Sequence, residues 1–169
     1  MMLMRLLGLG SVMTAGALAV LAAFAAPASA RDSLGVFEDW GAFRDPAAPR
    51  CYAIAQPDET SGSGYATVSF WPRARVRGQL YFRLARNVGQ GSTATVTLNG
   101  QRFVLMVRGN GAWARDARTD AGIVAAMRSA PTMRLSVSPA SGSGFGAAWR
   151  LRGAATAIDA AALGCAGRR

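Results

Sequence analysis

The chain has 169 residues, with 19 basic side chains against nine acidic ones, no histidine, two cysteines and a formal charge of +10 at neutral pH. Lacking histidine, it has neither the commonest general base nor the commonest metal ligand, and two cysteines far apart in sequence do not make a thiolate site, so zinc held by His and Cys is excluded. Every basic residue is arginine, which first suggests GC-rich coding and second a surface suited to anionic envelope lipids, lipopolysaccharide phosphates or an acidic protein surface.

Residues 1–30 have the layout of a signal peptide. Arg5 supplies a short positive start, Leu6 to Ala26 is uncharged and apolar, and Pro27-Ala28-Ser29-Ala30 ends in a small-x-small pattern before Arg31. Cleavage there leaves 139 residues (31–169), the length of a single domain, with a charge of +9 once Arg5 is gone. The alternative keeps the leader as an inner-membrane anchor, although its Gly and Ala content makes it a weak span. No second apolar span follows. The expected protein is periplasmic or secreted, peripheral to the outer membrane at most, with no transmembrane span after cleavage and no nucleic acid as partner.

From Leu34 to Phe43 the chain alternates loosely and carries three aromatics, a first strand with Trp40 as its core anchor. Arg44 to Pro49, with two prolines, is a loop. Cys51 to Gln56 is a second strand with Cys51, Ala53 and Ala55 on one face. Pro57 to Gly64 is a polar turn. Tyr65 to Trp71 is a third strand, which Pro72 demotes to a sheet edge or an exit. Gln79 to Ala85 places Leu80, Phe82 and Leu84 on one face.

Asn99-Gly100 between two alternating runs predicts a two-residue hairpin with a type I′ turn. That turn sets Leu98 opposite Gln101, Val96 opposite Phe103 and Ala94 opposite Leu105, with Thr97 facing Arg102 and Thr95 facing Val104 on the other side. Gly109-Asn110-Gly111 is expected to break the hairpin before Ala112-Trp113-Ala114 returns to the core. Asp116 or Thr119 caps a helix to about Ser129, buried through Ile123, Val124 and Met127, with Asp120 in its first turn. Met133, Leu135 and Val137 alternate as a strand, and Phe145 to Leu151 is the last one. After Gly153 a second helix, about Ala154 to Leu163, turns Ile158, Ala161, Ala162 and Cys165 to one face. The fold class is mainly β: an antiparallel sandwich or open barrel of about seven or eight strands with two short packed helices.

Two cysteines in an exported chain are expected to pair. A bridge from Cys51 to Cys165 closes a loop of more than 100 residues, which the chain-entropy model values at about 4–5 kcal/mol. The neighbouring carboxylates Glu38-Asp39 and Asp58-Glu59 are expected to be solvated charge. The Gly/Ser loops lack the ending that a phosphate-binding loop needs. No catalytic residue, metal ligand or cofactor site is identified. Arg73, Arg75 and Arg77 are the candidate anion-binding residues: at i, i+2 and i+4 they share a face if the segment is extended, with Arg83 and Arg86 on the next strand nearby. The competing role is protection of a sheet edge.

Phe37-Glu38-Asp39-Trp40, then Arg50-Cys51-Tyr52-Ala53-Ile54, then Leu151-Arg152-Gly153-Ala154-Ala155-Thr156-Ala157-Ile158-Asp159 ahead of Cys165, all behind a signal peptide, resemble the invasion-associated locus B family of small exported alphaproteobacterial proteins. Many members carry a further cysteine shortly after the tryptophan, where this chain has Arg44 or a neighbour. The resemblance implies a β-rich periplasmic or outer-membrane-associated domain without established catalytic activity. It makes a non-enzymatic envelope or binding module the expected function. The alternative is a periplasmic enzyme or enzyme inhibitor with convergent carboxylates such as Asp39, Asp116 or Asp120.

Overall fold

The hairpin around Asn99-Gly100 has the register read from the sequence. Both turn residues take positive φ, 46° and 80°, and the five pairs from Leu98–Gln101 to Ala94–Leu105 are all formed. A computed structural model describes this hairpin and the rest of residues 31–58 and 64–166; the expected leader at 1–30 lies outside the described residues. In chain order the elements are β1 (Asp32–Phe37), β2 (Trp40–Asp45), β3 (Arg50–Ala55), β4 (Tyr65–Trp71) and β5 (Val76–Val88). There follow β6 (Thr93–Leu98), β7 (Gln101–Ala114), α1 (Ala117–Met127), β8 (Thr132–Ser138), β9 (Phe145–Arg150) and α2 (Ala154–Gly164).

The nine strands form one antiparallel sheet in the order β1-β2-β3-β4-β5-β7-β6-β8-β9. That is mainly β with two helices, as the pattern predicted, but with more strands than the seven or eight expected. The extra strand comes from the first segment, which folds as two strands around Glu38-Asp39. Phe37 faces Trp40 there, and Glu38 takes the left-handed conformation (φ 54°) that a two-residue turn needs. Pro72 marks an exit and not an edge, because β4 lies between β3 and β5. Gly109-Asn110-Gly111 does not interrupt β7. It marks a change of partner, with Gln101 to Leu105 paired to β6 and Gly109, Gly111, Ala112 and Trp113 paired to β5.

The two ends of the sheet meet. Trp149 of β9 is buried against Phe82, ring centroids 5.2 Å apart, and donates its indole N–H to the Ala55 carbonyl at 3.2 Å. Asp58 donates its backbone N–H to Ala148 at 2.8 Å, and Trp40 donates its indole N–H to Arg150 at 2.9 Å. These contacts tie β9 to the ends of β2 and β3, so the curled sheet is an open barrel. Trp40 is the core anchor expected, fully buried.

Each helix packs on one half of the sheet. α2 packs mainly on β1 to β3, reaching β4 and β5 at its margin, and α1 packs on β5, β6 and β7. Gly153 starts α2 with φ 80°, and a Cβ there would sit 1.8 Å from the Phe37 carbonyl oxygen, so only glycine lets the chain enter the helix this close to the first hairpin. Cys51 and Cys165 are bonded, with Cα atoms 5.8 Å apart across a sequence separation of 114. The bond fixes the end of α2 to β3, as the paired cysteines predicted.

Candidate functional site

Arg73 and Arg75 do not lie on an extended strand. Trp71 faces Val76, and Pro72 to Arg75 form the turn between β4 and β5, closed by Ala74 N–H to Trp71 (3.1 Å) and Arg75 N–H to Pro72 (3.2 Å). Arg75 has φ 56°. Only Arg77 belongs to β5, next to the bulge where Gly78 is unpaired. All three are exposed and have no carboxylate partner among the described residues, but the common face that their spacing implied requires an extended segment that the turn removes. Arg83 and Arg86 are not beside them either: Arg83 lies six positions along β5 from Arg77, about 20 Å.

Arg83 and Arg86 instead mark a break in the sheet. β5 pairs with β7 at Arg83–Gly111 and again at Val88–Gly109, so four residues, Leu84 to Asn87, face one, Asn110. Bulges of this kind bend a strand and re-aim its side chains. The result is a recess of about 490 Å³ lined by Tyr65, Arg83, Arg86, Asn87 and Asn110 with the backbone of Gly64. Gly64 has no room for a side chain, since a Cβ would come within 2.3 Å of the Arg83 carbonyl oxygen. With the Asn110 carboxamide oxygen turned to Arg83, the guanidinium donates to it from Nε at 3.0 Å and from Nη2 at 2.7 Å. Arg86 lies over the Phe145 ring, 4.4 Å from its centroid, and donates to the Ser143 carbonyl. Among the described residues, no carboxylate lines the recess.

A second basic surface lies on the outer face of β6, β7 and β8. Along β7, Phe103, Leu105 and Val107 turn to the core, so Arg102, Val104, Met106 and Arg108 turn outward. Thr97 stands between Arg102 and Arg134, and Thr95 between Val104 and Ser136. Val104 and Met106 are 58% and 49% exposed, large apolar side chains in solvent between arginines. Sequence pattern put Arg102 and Val104 on this face. It gave no sign that the face stays uncovered.

The carboxylates named as an alternative acid–base set do not converge. Asp39 pairs with Arg150 at 3.1 Å. Asp116, and not Thr119, caps α1: its carboxylate accepts the Thr119 N–H at 2.8 Å, the main reason its pKa is lowered. Asp120 is only 7% exposed and accepts the Leu80 N–H at 2.8 Å. Leu80 lies one residue beyond Tyr81, the last β5 residue in register with β7, so Asp120 takes an amide at the end of that ladder. Burial raises its pKa, opposed by that hydrogen bond. No cluster of three or more Cys, Asp or Glu side chains able to hold a metal occurs among the described residues. No helix among them is long and apolar enough to cross a membrane.

No protein-family model, curated protein or solved structure matches the chain.

Proposed function

We propose that this is a non-enzymatic exported envelope protein, a relative of the invasion-associated locus B family, that docks on an anionic lipid surface through the outer face of β6, β7 and β8. The observation that carries the reading is the exposed pair Val104 and Met106 set between arginines that have no carboxylate partner among the described residues. Arginines draw such a face to anionic headgroups, each contributing about 1 kcal/mol near a charged membrane, while the two apolar side chains enter the boundary layer. Export is supported by the leader-like residues 1–30 and by the Cys51–Cys165 bond, which suits an oxidising compartment. The Arg73-Arg75-Arg77 segment adds charge at the β4–β5 turn.

Flotation of the mature chain with vesicles tests this. Binding is expected to vesicles containing phosphatidylglycerol and not to phosphatidylcholine alone, and to weaken as salt is raised. R102Q/R108Q/R134Q is expected to lower the affinity about 100-fold, three contacts at about 1 kcal/mol each. Equal binding to neutral vesicles, or an unchanged affinity of the triple variant, would contradict the proposal.

A further inference from the structure

Two guanidinium groups lining one recess with no acidic neighbour among the described residues repel each other, and the fold nevertheless holds both in place. Asn110 fixes Arg83 through two N–H groups, and the Phe145 ring with the Ser143 carbonyl fixes Arg86. Each guanidinium has five N–H donors, so both keep donors that these contacts leave unused. Tyr65, Asn87 and Asn110, which line the same space, carry neutral donors and acceptors. A recess of about 490 Å³ is within the range of small-molecule sites, but its walls are polar where such sites are mostly apolar. Planar guanidinium forks held ahead of binding match the paired oxygens of a phosphate or a carboxylate and lose little side-chain freedom on contact.

We infer that the recess at the β5 break is a binding site for a compact oxyanion, a phosphate or carboxylate group on a small polar molecule, separate from the lipid-facing sheet. Arg83 and Arg86 bind the oxyanion, and Asn110 is a positioning residue for Arg83. The four-for-one bulge is what makes the site. In a regular ladder Arg83 and Arg86, three residues apart, would point to opposite faces of the sheet. The bulge brings them to one recess.

The site is tested by titrating the mature chain with inorganic pyrophosphate and, separately, with citrate, following calorimetry and backbone amide shifts at constant ionic strength. Saturable one-to-one binding is expected, with shifts at Arg86, Asn87 and Asn110. Binding of pyrophosphate alone assigns a phosphate ligand, citrate alone a carboxylate ligand, and both the shared oxyanion chemistry. R83Q/R86Q is expected to weaken binding at least about tenfold, the loss of charged hydrogen bonds. The charge-matched R73Q/R75Q is expected to leave it within about twofold, because those arginines lie outside the recess. N110D keeps a partner for Arg83 and places the protein's own carboxylate in the recess, so it is expected to abolish binding while the chain still unfolds cooperatively. No saturation with either anion, an equal loss in R73Q/R75Q and R83Q/R86Q, or full binding by N110D would overturn the proposal.

Discussion

The two halves of the barrel use the same residue type in opposite ways. In the half built from β1 to β4, closed by the end of β9 and covered by α2, arginines meet carboxylates. Arg44 pairs with Asp32, Arg150 with Asp39 and Asp58, and Arg152 with Glu38, all near the seam where the sheet ends meet or at its outer hairpin. Arg50 lies over the rings of Tyr52 and Trp71 with Asp45 beside it. In the half built from β5 to β8 with α1, the two carboxylates serve backbone amides: Asp116 caps the helix and Asp120 takes the Leu80 N–H. Of the arginines there, Arg128 at the end of α1 reaches across to Asp159 of α2; the others have no acidic partner among the described residues. A formal charge of +10 says nothing of this division. Among the described residues, where the carboxylates are used decides which arginines hold the fold together and which remain available to a ligand.

The comparison can be broken most forcefully by cutting the covalent tie of the first half. C51A/C165A is expected to lose about 4–5 kcal/mol of stability, the loop entropy of a 114-residue closure, read as a lower midpoint in urea unfolding. In the second half the equivalent tie is Asp120, and there the expected effect is smaller. D120A leaves the Leu80 amide buried without an acceptor and should cost about 1–3 kcal/mol, while D120N keeps an acceptor oxygen and should stay near the parent at neutral pH. The two halves also part in their response to acid. Burial holds the Asp120 pKa above the usual carboxylate value of 3.8, so as pH falls through that raised value the folded chain takes up a proton before the unfolded chain does, and this contribution to stability rises. Asp159, lowered mainly by its hydrogen bond from Arg128, acts in the opposite sense: its contribution is present above 3.8 and is lost as pH falls through its lower folded value. Denaturant unfolding from neutral to acid pH should therefore show a stabilising step that D120N abolishes. The smallest effect belongs to the exposed seam pairs. R152Q should cost less than about 1 kcal/mol in the same assay, since exposed ion pairs contribute little singly.

Local chemistry explains which parts of this could be seen in the sequence. The β6–β7 hairpin was legible to its register because Asn99-Gly100 permits the required backbone and a one-residue slip would turn Val96 and Phe103 to opposite faces. The disulfide was legible because two cysteines behind a leader-like segment offer one pairing. The β1–β2 turn was not, since Glu38 adopts positive φ without the Gly or Asn that marks such turns. The face drawn through Arg73, Arg75 and Arg77 assumed an extended segment, and the turn after Pro72 removed that assumption. The recess at Arg83 and Arg86 depends on where β7 exchanges β6 for β5 as its partner, a long-range event for which Gly109-Asn110-Gly111 was the one local sign.

Whether the arginines of the second half are open to a ligand is read by amide shift mapping. Isotopically labelled residues 31–169 would be titrated with bicelles containing phosphatidylglycerol, and perturbed amides placed on the sheet. The largest changes are expected on Arg102 to Arg108 of β7 and around Arg134 of β8, with the ion-paired ends of β1, β2 and β9 unmoved. Changes centred on that ion-paired seam, with β7 and β8 unaffected, would contradict this.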